Sequence, residues 1–204
     1  MLGAFSQACE NNKGPILAHL RAYFASSRSV LELGSGTGQH AVHFAEHLPH
    51  LCWQCSDLAP ALPGLRDRIE AAGLSNLLAP IELDVLQQDA WPIASDAMFT
   101  ANTLHIMPWP VAEHALWLAG TMLPAQGVLI IYGPFNYQGL YTSDSNAEFD
   151  QWLKQRAPHQ GIRDFEAVNA CLEKAGMSLH TDHAMPANNR LLVYVKKKCD
   201  MQVD

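Results

Sequence analysis

The stretch Ser29-Val30-Leu31-Glu32-Leu33-Gly34-Ser35-Gly36-Thr37-Gly38-Gln39-His40-Ala41 decides the fold. Its first five residues are a short apolar run suited to a strand, and three glycines at alternate positions then break it. Beyond them Ala41, Phe44, Ala45 and Leu48 recur at helical spacing. Strand, glycine loop and helix in direct succession turn backbone N–H groups and a helix N-terminus toward whatever lies above a sheet. A second unit follows: residues 51–56 as strand, Asp57 at its end, Pro60 and Pro63 leading into a helical segment through Leu65, Ile69 and Ala72, and a stop at Gly73. Residues 81–85 read as a third strand and 96–101 as a fourth. Residues 111–122 supply the next helix, and 128–132 a fifth strand between Gly127 and Gly133. This alternation predicts an α/β fold, a mostly parallel, doubly wound sheet with helices on both faces.

Residues 134–146 lose periodicity and fill with Asn, Tyr, Gly, Ser and Asp, a long polar loop at the carboxyl end of the fifth strand, where long loops carry function. Helices are expected over 148–155 and 165–175, with Arg163 and Asp164 as a structural pair and Asp164 as a cap. Residues 177–183 and 191–196 form strand-like runs joined by the turn-rich 185–189, an antiparallel pair that brings the sheet to seven strands. At the other terminus Glu10 to Lys13 is too polar for a core element and precedes a helical run over 16–24. Residues 1–25 therefore read as an arm and helix covering the pocket.

A chain of 204 residues fits one domain, residues 1–204, able to bury about 70% of its unfolded surface. Hydrophobic residues at 49% and charged residues at 16% exclude disorder. Thirteen Lys and Arg against twenty Asp and Glu leave a net charge of −7, which argues against nucleic-acid binding. The basic run Lys196 to Lys198 reads as a solubilising tail. No stretch approaches the roughly 20 apolar residues of a membrane span. Glu10, Asn11, Asn12 and Lys13 interrupt the segment where a signal peptide would be apolar, so a soluble, cytoplasmic protein is expected. Cys9, Cys171 and Cys199 are isolated, and Cys52 and Cys55 fall on a strand, where side chains three apart face opposite ways. A disulfide framework or redox pair is not expected. His40, His43 and His47 share a helix, with His50 close behind, but metal sites usually add Cys, Asp or Glu in a closed shell, and no metal is expected. Trp91, Trp109, Trp117 and Trp152 are scattered, as core or pocket-lip residues are.

Asp57 ends its strand nineteen positions after Gly38, where a carboxylate accepts hydrogen bonds from both hydroxyls of an adenosine ribose. The competing reading has the glycines making only a tight turn and Asp57 capping a helix. A dinucleotide fingerprint would need a third glycine where Gln39 stands. The pattern Glu32-x-Gly34-x-Gly36-x-Gly38 instead resembles motif one of class I S-adenosylmethionine (SAM) dependent methyltransferases. That resemblance implies that the loop holds the methionine part of SAM, that Asp57 holds the ribose, and that Asp84, in Leu83-Asp84-Val85, caps the adenine amine.

A closer resemblance covers nearly the whole chain. Asn12-Lys13-x-Pro15-Ile16-Leu17, Ser35-Gly36-Thr37-Gly38-Gln39-His40-Ala41, Ser56-Asp57, Leu83-Asp84-Val85 and Tyr132-Gly133-Pro134-Phe135 occur in order. They are followed by Ser145-Asn146-x-x-Phe149-Asp150, Gly161-Ile162-Arg163-Asp164 and Met185-Pro186-Ala187-Asn188-Asn189. Together they resemble the methyltransferase-like family known as domain of unknown function 938, the methyltransferase-like protein 26 family. Asn11 stands where that family usually has Arg. The resemblance implies a Rossmann-like class I methyltransferase fold and a SAM site drawn from Glu32, Gly34, Ser35, Gly36, Gly38, His40, Asp57, Asp84 and Asn102. S-adenosylhomocysteine (SAH) would be the product, and the family carries over no acceptor.

Methyl transfer from a sulfonium is an in-line displacement, so candidates belong at the carboxyl ends of strands four and five. Asn102, His105 and Tyr132 are the catalytic candidates. His105 reads equally as a general base near neutral pH and as a hydrogen-bonded loop histidine. Asn12, Lys13, Asn136, Asn146, Asn188 and Asn189 are candidates for binding an acceptor, with Asp144 on the same rim. The reading is a methyltransferase acting on a small molecule. Its rival is a SAM-binding protein without catalysis, serving as a sensor or partner subunit.

Overall fold

A computed structural model of the chain describes residues 5–87 and 94–198. Trp91 and Cys199 lie outside the described residues. The chain opens with helix α1 (Gln7–Tyr23) and then runs β1 (Ser29–Leu33), α2 (Gln39–His47), β2 (Cys52–Asp57), α3 (Leu62–Ala72) and β3 (Leu77–Glu82). It continues with β4 (Ala97–Ala101), α4 (Trp109–Met122), β5 (Val128–Gly133), β6 (Phe135–Asn136) and α5 (Asp144–Arg156). The last elements are β7 (Arg163–Asp164), α6 (Phe165–Lys174), β8 (Met177–Met185) and β9 (Asn189–Lys196).

The main sheet has seven strands in the order β3-β2-β1-β4-β5-β9-β8. All are parallel except β9, which runs antiparallel to both β5 and β8. Order reverses between β1 and β4, and the carboxyl ends of those two strands open the crevice in which sheets of this kind bind ligands. Successive strand residues serve opposite faces. Val30 and Ile130 pack with Ile16, Leu20, Phe44 and Leu65 from α1, α2 and α3. Leu31, Leu129 and Ile131 pack with Leu116, Ala119, Val168 and Leu172 from α4 and α6. A strand buried on both faces reads as a continuous apolar run, which is why β1 and β5 are plain in the sequence.

Three elements and the residue Lys196 depart from expectation. Strand β3 lies at Leu77–Glu82, not 81–85, and contains Pro80, a residue that reads as a strand break. As the sheet's outer strand, β3 tolerates the missing N–H. Helix α1 begins at Gln7, so Glu10 to Lys13, expected as an arm ahead of a helix over 16–24, are themselves helical, and the helix passes through Pro15. Ser6 caps it, and Gln39 fastens its first turn to α2 by accepting from the Ser6 N–H at 2.6 Å and donating to Glu10 at 2.8 Å. Helix α5 starts at Asp144 behind a Ser143 cap, so the last part of the expected loop is helical. Lys196 is no solubilising residue: its ammonium donates to the carbonyls of Gly120 and Ala175, both at 2.6 Å, joining the ends of two helices to the last strand. Cys52 is exposed and Cys55 buried, as opposite strand faces require.

Candidate functional site

The glycine loop is locked from beneath. Ser35 gives its hydroxyl to Glu32 Oε2 at 3.0 Å and its N–H to the Ser56 carbonyl at 2.9 Å, while Ser56 donates its N–H to Ser35 Oγ at 3.2 Å. Glu32 is buried and also accepts from Trp53 Nε1 at 3.0 Å. Burial pushes its carboxyl up to about 7, with the donors opposing the rise. Gly34, Gly36 and Gly38 all adopt left-handed backbone. At Gly34 a Cβ would stand 2.6 Å from the Thr103 side chain, and at Gly38 2.6 Å from Leu65, so these two are required for packing. At Gly36 a Cβ would meet nothing within 4 Å, because the loop there faces open space.

That space is a cavity of about 1180 Å³ above the carboxyl ends of β1, β2, β4 and β5. Asp57 lies on its wall, Oδ2 accepting the Gly36 N–H at 2.7 Å and Oδ1 the Leu58 N–H at 2.8 Å. Each oxygen keeps a lone pair for a ligand. Asp84 also lines the cavity, its oxygens accepting from the Leu86 N–H and from Gln87.

On the α1 side a polar chain runs along the wall. His40 Nε2 meets Asn12 Oδ1 at 2.6 Å, and the Tyr132 hydroxyl faces Asn12 and Asn189. Burial takes the His40 imidazole down to about 4, so at neutral pH it is uncharged and gives its proton to Asn12. Burial raises the Tyr132 phenol, which keeps it protonated. Asn102 follows β4 in left-handed backbone, φ 57°, with its N–H held by the Tyr132 carbonyl at 2.9 Å. Backbone of this kind outside glycine concentrates at ligand sites.

His105 lines the cavity nearby, with its ring edge on Phe149 at 5.3 Å. Burial, helped by the Arg163 guanidinium, lowers it to about 4, which makes it a neutral hydrogen-bonding group rather than the base poised near neutrality that its type suggests. Arg163 staples the His105 segment by donating to the carbonyls of Leu104, Met107 and His159. The next stretch is tied to α5 through Asp150, which accepts from the Ile162 N–H and the Tyr141 hydroxyl, both at 2.7 Å. Asp164 does stand at the head of α6, but its side chain makes no capping hydrogen bond.

Gly34, Ser35, Gly36, His40, Asp57, Asp84, Asn102, His105, Tyr132, Asn12, Asn146 and Asn189 thus meet around one cavity. Glu32, Gly38, Lys13, Asn136 and Asn188 do not line it. Glu32 and Gly38 support the loop from behind, and Lys13 pairs with Glu10. Asn136 is buried in the small β6–β7 sheet, and Asn188 donates to Ser145 while its carbonyl accepts from Asn146. Asp144 is likewise off the wall. Phe149, Trp152, Arg156 and Gln160 also line it: Trp152 takes the pocket-lip place expected of it, whereas Arg156 and Gln160 carry no local signal. Of the helix α2 histidines, His43 and His47 bring ligand atoms within 4.8 Å of one another and of Glu46, while His40 is engaged with Asn12. His50 is bonded to the Phe24 carbonyl.

The architecture matches solved methyltransferases at low identity. An O-methyltransferase family protein from Burkholderia thailandensis aligns with a TM-score of 0.81 and 18% identity over 95% of this chain and 58% of its own. The mitomycin 7-O-methyltransferase MmcR aligns at 0.79 and 17%, over 93% and 54%. Human N-acetylserotonin methyltransferase in complex with SAM aligns at 0.78 and 14%, over 94% and 53%. The chain spans little more than half the length of each. Among the described residues no helix is long and apolar enough to cross a membrane. A model of the family described as "Protein of unknown function (DUF938)" matches residues 3–196, and the chain belongs to this family.

Proposed function

We propose that the protein is a SAM-dependent methyltransferase for a small-molecule acceptor. The observation that carries this reading is the junction of Gly36 and Asp57: an open glycine backbone bonded to a carboxylate from the neighbouring strand, at the wall of the cavity. The fit to SAM rests on that pairing, since the space at Gly36 admits a ligand against the backbone and Asp57 retains acceptor sites for ribose hydroxyls. At about 1180 Å³ the cavity exceeds the roughly 300–1,000 Å³ of ordinary ligand pockets, which leaves room for a second small molecule beside the cofactor.

In this reading Gly34 to Gly36 cradle the amino-acid part of SAM, Asp57 binds the ribose and Asp84 the adenine end. SAM supplies a methyl group activated by its sulfonium. Asn102 and Tyr132 stand at the carboxyl ends of β4 and β5, where the reacting centres would be aligned. Tyr132, held protonated, donates a hydrogen bond, and His105, held neutral, accepts one. Glu32 and Gly38 position the loop. The solved neighbours named for mitomycin and N-acetylserotonin act on small acceptors, which supports the same class here.

Calorimetry with SAM, SAH and NADH side by side tests the cofactor: SAM and SAH bind and NADH does not. Transfer of a labelled methyl group from SAM into metabolite extract then separates an enzyme from a silent SAM-binding protein. Tight NADH binding without SAM binding would overturn the reading.

A further inference from the structure

Resting on that function, we propose that the Phe149–Trp152 end of the cavity is an acceptor subsite for a planar hydroxyaromatic acid. Phe149 and Trp152, three residues apart on α5, stack on each other with centroids 5.7 Å apart and planes 20° from parallel, and both line the cavity. Trp152 keeps 48% of its surface exposed although Phe149 and the Arg156 guanidinium both lie over its ring, so a flat ligand would pack against the indole where those two leave it open. His105 closes the same corner edge-on to Phe149.

Gln160 lines the cavity with a buried Oε1 that no group in the protein satisfies, and the His105 ring lines the same wall, its backbone carbonyl accepting the neighbouring Gly161 N–H at 2.9 Å. Buried polar atoms are paired as a rule, so the orphaned Gln160 oxygen calls for a ligand that donates, and a ring hydroxyl does. The charge follows the same division. The cavity's carboxylates are Asp57 and Asp84, on the β2–β3 side of the sheet. At the aromatic end stands Arg156, its guanidinium 4.7 Å from the Trp152 ring centre, suited to an anionic substituent on a ring lying against that tryptophan.

The chemistry balances with these groups. The acceptor oxygen forms a bond to the methyl carbon as the carbon–sulfur bond breaks, and the electron pair of that bond returns to sulfur, leaving SAH as a neutral thioether. The hydroxyl proton becomes strongly acidic as the oxygen is methylated. His105 takes it at that moment and passes it to water, being too weak a base to hold it.

The test is calorimetric titration of the SAH-loaded protein with 4-hydroxybenzoate, 4-hydroxycinnamate and 6-hydroxy-2-naphthoate, against trans-4-hydroxycyclohexanecarboxylate, which keeps the polar groups but is not flat. At least one aromatic acid should bind about tenfold or more tighter than the cyclohexane acid. Trp152→Leu and Arg156→Ala should each weaken it by about tenfold while leaving SAH affinity unchanged. Equal binding of the flat and non-flat acids, no binding of any aromatic acid, or indifference to Trp152→Leu would overturn the subsite. The same acids titrated without SAH keep the subsite testable by itself. Failure of SAH to bind would count against the function proposed above instead.

Discussion

Replacing Asp57 with alanine removes a carboxylate that does two jobs in the structure. It accepts the Gly36 N–H at 2.7 Å and the Leu58 N–H at 2.8 Å, and it offers its remaining lone pairs to the cavity. Two charge-assisted hydrogen bonds to ribose hydroxyls contribute about 1.5–3 kcal/mol each, so their loss should raise the dissociation constant for SAM by about 10²- to 10⁴-fold. The two N–H groups left behind face solvent, so the folded state should lose only about 1 kcal/mol, a fall of about 2–4 °C in melting temperature for a chain of this size. Titration with SAH and thermal melting of the same preparations separate the two effects. Were the variant to bind SAH within about threefold of the natural protein while melting more than about 10 °C lower, Asp57 would be a structural cap and the ribose assignment would fail.

Two further outcomes follow from the same loop. Glu32 keeps its proton to about 7 in the folded chain against 4.5 when unfolded, so the folded state binds more protons between those values and stability falls as pH rises through them, by about 3 kcal/mol in all. Glu32→Gln retains an acceptor oxygen and cannot ionise, so melts between pH 5 and pH 8 should lose that slope; an unchanged slope would place the titration elsewhere. Gly36→Val puts a branched side chain at φ 54° into the open space over the loop, at a backbone cost of about 1–2 kcal/mol. It should abolish SAM binding in a protein that still folds, and retained affinity would sink the glycine-loop assignment.

The parts of the fold legible from the chain are those where one physical signal acts alone. β1, the loop and α2 stand out because an apolar strand, three left-handed glycines and a helical repeat follow one another without overlap. β3 is obscured because Pro80 signals a break that an outer strand does not obey, and α1 because Gly14 and Pro15 interrupt a helix whose first turn is held by Gln39, thirty-three residues from Ser6. Long-range fastening of that kind leaves no local trace. The wall formed by Gly36 and Asp57 is readable for the same reason as the loop: backbone geometry demands glycine, and a carboxylate ends the neighbouring strand. Arg156 and Gln160 are not, since only the tertiary placement of α5 and of the turn that follows it brings them to a cavity wall. The shift of His105 toward acidity was equally invisible, because burial and the Arg163 charge come from tertiary packing.

The two ends of the cavity are fastened by separate sets of residues. Glu32, Ser35 and Ser56 hold the glycine loop, whereas Arg163 and Asp150, from the region after α5 and from α5 itself, hold the segments carrying His105 and Gln160. No side chain belongs to both sets. Changes on α5 or at the Arg163 staple therefore leave the fastening of the glycine loop untouched, so the shape of one end of the cavity can diversify without the other first being rebuilt.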